Sequence, residues 1–186
     1  GHPIQEYLHE IKSFTTCSVS ETQAISEKVA SQGPGAERQV VIAGLVVALN
    51  IRNGRNGKFC IMTLDDRSGR VEVGLFGKMW EEYGSLVVKD HILVISGSIK
   101  QDNYSGRNSL RATEVFDIEQ ARSRFARFIE LALHREQVQN GFVQELASTI
   151  EPYKNGECPV VIRYRNGDAL ADIKLGKEWS VLPSDQ

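Results

Sequence analysis

The chain has 186 residues, of which 41% are hydrophobic and 25% charged, and it carries a formal net charge of -2 at pH 7. These proportions exclude collagen-like, disordered and membrane-spanning classes and leave a globular chain of one domain or two small ones. The longest uncharged apolar stretch, Val40 to Leu49, is about half of what a bilayer span requires, and no basic segment followed by an apolar one opens the sequence. A cytoplasmic protein with no membrane association is the expectation. Cys17, Cys60 and Cys158 are odd in number and scattered, which predicts reduced thiols and neither a disulfide framework nor a zinc site.

A net negative charge rules out a generally basic nucleic-acid binder, so any such role must rest on local charge. Only residues 40–116 carry more basic than acidic groups, 10 against 8. Within them, Asn50 to Lys58 holds Arg52, Arg55 and Lys58 and no acid.

In chain order, Pro3 opens a short helix in which Ile4, Tyr7, Leu8 and Ile11 recur at helical spacing. Thr15 to Gln39, rich in Ser, Thr, Gln and Gly, reads as a linker with one weak helix around Ala24 to Ala30. Residues 1–39 are therefore expected to be an N-terminal helix and linker. Val40 to Arg52 is a β-branched run interrupted by Gly44, the mark of a bulge or a sharply coiled strand. Asn53-Gly54 and Asn56-Gly57 supply positive-φ residues for a hairpin into a second strand, Lys58 to Leu64. Asp65 to Gly69 is a turn, after which Val71, Val73 and Leu75 alternate with Glu72, Gly74 and Phe76 in a third strand with one buried face. Met79, Trp80, Tyr83, Leu86 and Val87 then share one helical face, fit to plug a barrel end. Ile92 to Lys100 and Ser109 to Val115 return to β, joined by a polar turn containing Tyr104 and Arg107. The order β-β-β-α-β-β is that of the OB fold, a five-stranded barrel over residues 40–116.

Residues 117–186 read as a small α/β unit. Asp117 and Gln120 make a capping pair for a helix to about Ala126. Phe128 to Leu133 fits both periods, and we read it as a strand. Arg135 to Glu151 reads as a helix carrying Val138, Phe142, Leu146 and Ile150 on one face. Pro159 to Tyr164 and Ala169 to Leu175 form a hairpin about Asn166-Gly167, and a last strand is expected near Trp179 to Leu182.

OB barrels bind strands on the face of strands two and three and through the loops flanking it. Arg52, Arg55 and Lys58 are candidates to neutralise phosphates, with Asn53 and Asn56 as donors to phosphate or sugar. Phe59, Phe76 and Tyr104 are candidates for base stacking, with barrel packing as the competing role for Phe59. Arg70, Lys100, Arg107 and Arg111 would extend the positive track. An outward Glu72 would repel phosphate. Asp65-Asp66 ahead of Ser-Gly reads as a turn former in preference to a metal or acid site. There is no Gly-Lys-Ser/Thr phosphate loop, no G-x-S-x-G and no metal-spaced histidine set. No catalytic residue, metal or cofactor is expected.

G-H-P-I at the start, A-G-L-V-V-A at 43–48, T-L-D-D-R-S-G-R-V-E-V-G-L-F from Thr63 to Phe76 and L-V-I-S-G-S from Leu93 to Ser98 together resemble the C-terminal region of the bacterial DNA polymerase III alpha family. The resemblance covers essentially the whole chain. The Leu64 to Val73 stretch is shared with anticodon-binding OB domains of aminoacyl-tRNA synthetases; the opening helix and the unit after Asp117 separate the two. The resemblance implies a fragment beyond the palm of a DNA-directed DNA polymerase, a nucleotidyltransferase whose catalytic aspartates lie upstream. It implies an OB domain near the single-stranded template, a C-terminal domain that docks the clamp-loader tau subunit, and other polymerase III holoenzyme subunits as partners. No clamp-binding peptide of the Gln-x-x-aliphatic-aromatic kind is present. The chain ends earlier than the family leads one to expect, so residues 117–186 are expected to be an incomplete domain. A tRNA anticodon-binding module and a pure protein-docking module stand as alternatives.

Overall fold

The computed structural model describes residues 3–55, 57–101 and 108–183. Two compact units divide between Ile118 and Glu119. The first contains α1 (Leu8–Phe14), α2 (Glu21–Ser31), β1 (Glu37–Gly54), β2 (Gly57–Asp65), β3 (Arg70–Phe76), α3 (Lys78–Tyr83), β4 (Ile92–Gln101) and β5 (Asn108–Phe116). Its strands close a barrel in the order β1-β2-β3-β5-β4, with β3 and β5 joined in parallel at Val73–Leu110 and Gly74–Arg111.

Closure depends on β1 serving two neighbours. It pairs with β4 from Glu37 to Leu45 and with β2 from Leu45 to Gly54, with a bulge between Val46 and Ala48. Gly44 sits where the strand changes partner. A Cβ there would stand 3.1 Å from Leu64 Cβ and 3.2 Å from the backbone of Asp65, so the small residue lets β1 coil tightly over β2. Inward alternation fills the barrel: Ile42, Met62, Leu64 and Leu75 are fully buried, and replacing any one by Ala would cost about 2–5 kcal/mol. Trp80, Tyr83 and Leu86 of the α3 region pack on this core, as the helical periodicity predicts.

The weak helix expected around Ala24 to Ala30 is present and longer, and it is packed on the barrel rather than set in a free linker. Glu21–Ser31 is an eleven-residue helix whose Val29 belongs to the barrel core, with Ile25 packed against it. Thr16 is tied to β1, donating from its backbone N–H to the Val41 carbonyl (2.8 Å) and accepting from Val41 N–H at Oγ1 (2.9 Å). The first strand therefore begins at Glu37, earlier than the apolar run suggests.

The second unit has α4 (Ile118–Phe125) leading into it, β6 (Ile129–His134), α5 (Phe142–Ile150), β7 (Lys154–Cys158), β8 (Val160–Asn166) and β9 (Ala169–Lys174). β6, β8 and β9 form a three-stranded sheet, parallel between β6 and β8 and antiparallel between β8 and β9. Leu146 and Ile150 of α5 pack with Leu131, Cys158, Val160 and Val181. On the sheet's other face Arg163 bridges Glu130 (3.0 Å) and Asp172 (2.9 Å). These contacts raise the Arg163 pKa and hold the Asp172 carboxyl below its usual range, chiefly through their mutual hydrogen bond.

Two expectations fail here. The helix read over Arg135 to Glu151 is a 3-10 turn, Arg135–Gln137, followed by α5 from Phe142. The Gln137 side chain accepts from His134 N–H at 2.8 Å and closes the first turn, and Gly141 at φ +91° breaks the path. Val138 is left exposed. The strand expected at Trp179 to Leu182 is a 3-10 turn, Lys177–Trp179, followed by Val181, which makes single bridges to Lys154 and Cys158.

Candidate nucleic-acid interface

Strand register decides which candidate side chains share a face, because residues directly opposite one another in a ladder project to the same side. Arg52 of β1 is opposite Phe59 of β2, and Phe59 is opposite Phe76 of β3. Gly74, two residues before Phe76, is opposite Arg111 of β5. Arg52, Phe59, Phe76 and Arg111 thus form one row across four strands. Its side is opposite to that of Cys60, Met62 and Leu75, which are fully buried. The row is the outer surface of the barrel, and Phe59, for which packing in the interior competed, lies there half-buried.

The two rings stack, with centroids 5.5 Å apart and planes 22° from parallel. The Arg111 guanidinium carbon stands 5.1 Å from the Phe76 centroid, within cation–π range, and Arg111 Nε donates to Ser109 Oγ at 3.3 Å. Two glycines make room for this arrangement. A Cβ on Gly74 would lie 2.2 Å from Phe76 Cε2, so the ring is draped over the bare backbone of its own strand, and a Cβ on Gly54 would meet the Phe59 ring at 3.3 Å. Phe76 remains 39% exposed. The result is an aromatic platform flanked by a cation on either side.

The remaining candidates are dispersed around this row. Asn53 is opposite Lys58, so both project to the other side of the ribbon from Arg52 and Phe59. Arg55 is at the exposed tip, between Gly54 and Gly57, which form the last ladder pair. Of the two expected positive-φ glycines only Gly57 has that geometry (φ +99°); Gly54 is strand, beside the Phe59 ring. Arg52 Nε donates to Asn50 Oδ1 at 3.1 Å. Lys100 is opposite Glu37 on one side and Ser109 on the other, which puts it on the Arg111 face. Arg70 is at the far end of β3, six residues and about 20 Å from Phe76, with its Nε on Asp65 Oδ2 at 2.8 Å. Asn56, Tyr104 and Arg107 lie outside the described residues.

Sequence reasoning missed the pairing of Phe59 with Phe76, which a register shift of one residue would have abolished. It expected the helix around Ala24 to Ala30 but not its place beside the platform, where Thr22, Gln23, Ser26 and Glu27 wall a groove alongside Glu72, Gly74 and Phe76. Glu72 is exposed on the platform's own face, in the outward position that opposes phosphate.

Asp65 and Asp66 organise a turn. Asp65 Oδ1 accepts from Arg67 N–H at 2.8 Å. Asp66 Oδ1 accepts from Ser68 N–H (2.8 Å) and Ser68 Oγ (2.6 Å), and its Oδ2 accepts from Val19 N–H at 2.9 Å. Those oxygens are occupied in fastening the β2–β3 turn to the entry of α2.

A family model described as an OB-fold nucleic acid binding domain matches residues 40–118, and one described as the C-terminal domain of DNA polymerase III subunit alpha matches residues 145–186. DNA polymerase III subunit alpha from Vibrio cholerae is 36% identical over 186 residues, covering all of this chain and 15% of the relative. That from Escherichia coli K12 is 36% identical over 188 residues with the same coverage. The chain is homologous to the C-terminal region of DNA polymerase III alpha. It spans about 15% of the length of these curated relatives. Among solved structures, the second OB-fold domain of replication protein A from Methanococcus maripaludis overlaps 42% of this chain and 82% of its own, at 25% identity and a TM-score of 0.33. The match to DNA polymerase III alpha embraces both the barrel and the second unit, as the motif resemblance implies. No helix among the described residues is long and apolar enough to cross a membrane.

Proposed function

We propose that the barrel is a single-stranded DNA contact module of a bacterial replicative polymerase. The observation that carries this reading is the Arg52–Phe59–Phe76–Arg111 row. Stacking on an exposed aromatic is worth about 1–3 kcal/mol per base, and every base has a face to offer, which suits a template of arbitrary sequence. Arg52 and Arg111 flank the rings where phosphates of a stacked strand would pass, with Arg55 at the hairpin tip, Lys58 on the hairpin's other side and Lys100 beyond Arg111. DNA as the strand's identity rests on the homology to DNA polymerase III alpha. Catalysis is assigned to the rest of the polymerase, and this segment acts by holding template, within the cytoplasm.

For the second unit the reading is docking to a replisome partner, the clamp-loader tau subunit. Ile173 of β9 and Val143 of α5 are 48% and 59% exposed, apolar surface of the kind a protein partner covers.

The test is fluorescence anisotropy with matched DNA and RNA oligonucleotides. Phe76→Ala is expected to weaken DNA binding about tenfold, within the range of one lost stack. An unchanged affinity would overturn the assignment to this face. Tighter, sequence-dependent RNA binding would favour an anticodon module, and no oligonucleotide binding at low salt would favour a docking role alone.

A further inference from the structure

A groove of about 560 Å³ runs beside the platform, between the outer face of β3 and α2. Phe76 and Gly74 form its platform end, Ser109 and Leu110 line the β5 side, and Thr22, Gln23, Ser26 and Glu27 form the helical wall. Its volume lies in the range of small-ligand sites. Two carboxylates line it, Glu72 on the floor and Glu27 on the wall, and so does a cation, Arg70, whose Nε is engaged by Asp65 Oδ2 at 2.8 Å. Glu27 Oε1 accepts from Gln23 Nε2 at 3.4 Å. Glu72, opposite Thr63 in the ladder, makes no hydrogen bond or ion pair among the described residues.

With Arg70 paired to Asp65, the two carboxylates set the charge left open in the lining, which disfavours phosphate and suits something else. A strand whose sugar-phosphate chain passes the arginines cannot follow β3 toward Glu72 without bringing like charges together. A base unstacked from the end of the platform meets no such barrier. The chemistry that pairs with an open carboxylate is a hydrogen-bond donor edge, and the bases differ in what they offer. Guanine presents N1–H and N2–H side by side, matching both carboxylate oxygens. Cytosine and adenine each present one exocyclic amine, and thymine presents its single N3–H between two carbonyl oxygens that would face the carboxylate.

Resting on the strand-binding reading above, we propose that the α2 groove receives one nucleobase next to Phe76 and that Glu72 accepts from its donor edge. The module then prefers guanine at that one position, with cytosine and adenine behind it and thymine last. Stacking on Phe59 and Phe76 stays indifferent to sequence. Glu72, rather than subtracting from binding, becomes the specificity-determining residue of this face.

The experiment uses the full chain and a twelve-nucleotide thymidine oligonucleotide in which a single guanine is moved through every position. Anisotropy is expected to show tightening of about tenfold at one position, the size of one good paired contact. Glu72→Ala should abolish that gain while leaving affinity for the all-thymine strand unchanged or slightly higher, and Glu72→Gln, keeping one acceptor oxygen, should retain part of it. A guanine effect absent at every position, or undiminished in Glu72→Ala, overturns the proposal. Absence of binding to the all-thymine strand is a different result: it removes the strand-binding reading and this inference with it. Glu72 is exposed, and an unaltered thermal midpoint in Glu72→Ala separates loss of recognition from loss of fold.

Discussion

Phe76 owes its position to what Gly74 lacks. A side chain at Gly74 would occupy the space of the Phe76 ring, so the ring would have to swing off the strand and away from Phe59 and Arg111. Because Gly74 pairs with Ile61 and Arg111 through backbone alone, its substitution tests ring placement without removing an aromatic. Gly74→Val is expected to weaken oligonucleotide binding by about as much as Phe76→Ala, about tenfold by anisotropy, while keeping the far-ultraviolet dichroism of the barrel. Affinity equal to that of the unaltered chain would show that the ring's pose contributes nothing. At this scale the sequence is partly legible: Phe59 and Phe76 stand out as aromatics in alternating strands. Their mutual contact does not, because it depends on a β2–β3 register that only the closed barrel sets.

Among the elements, strands with strict alternation are read from sequence to the residue, as β3 (Arg70–Phe76) shows. Elements whose stability comes from tertiary packing are not. α2 has a polar, weakly amphipathic sequence, and it is a helix because Val29 enters the barrel core and Asp66 anchors its entry. β7, Lys-Asn-Gly-Glu-Cys, has no periodicity at all; among the described residues its bridges are both to Val181. The α2 anchor is open to test. Asp66→Ala removes acceptors for Val19 N–H, Ser68 N–H and Ser68 Oγ together, and is expected to cost about 1.5–3 kcal/mol in urea unfolding. Asp66→Asn, which retains one carbonyl acceptor, should lose less. Equal stability of both variants and the parent would mean that α2 is held by Val29 and its neighbours alone.

For the whole molecule, charge decides how a chain of net charge -2 meets a polyanion. Cations gather at the hairpin end of the barrel: Arg52 and Arg111 flank the platform, Arg55 is at the hairpin tip and Lys58 projects from its other side. Glu72 and Glu27 occupy the groove beyond, together with Arg70, which is paired with Asp65. Four phosphate contacts on a single strand predict a slope of about -3 for log affinity against log salt, and replacing Arg52, Arg55 and Lys58 by Ser should leave about -0.7. An unchanged slope would place the phosphates elsewhere. The barrel order was readable from the chain because each strand carries its own alternation and turn. The site was readable only as a set of residue types, since the hairpin's Lys58 and Asn53 turn out to face away from the ring that neighbours them.

The most direct measurement is a nitrogen-15 correlation spectrum of the full chain during titration with a thymidine oligonucleotide. The account predicts that amide shifts cluster at Arg52, Phe59, Gly74, Phe76 and Arg111, with residues 119–186 unmoved. Saturable shifts confined to residues 119–186, or binding that leaves the Phe59–Phe76 row untouched, would contradict it.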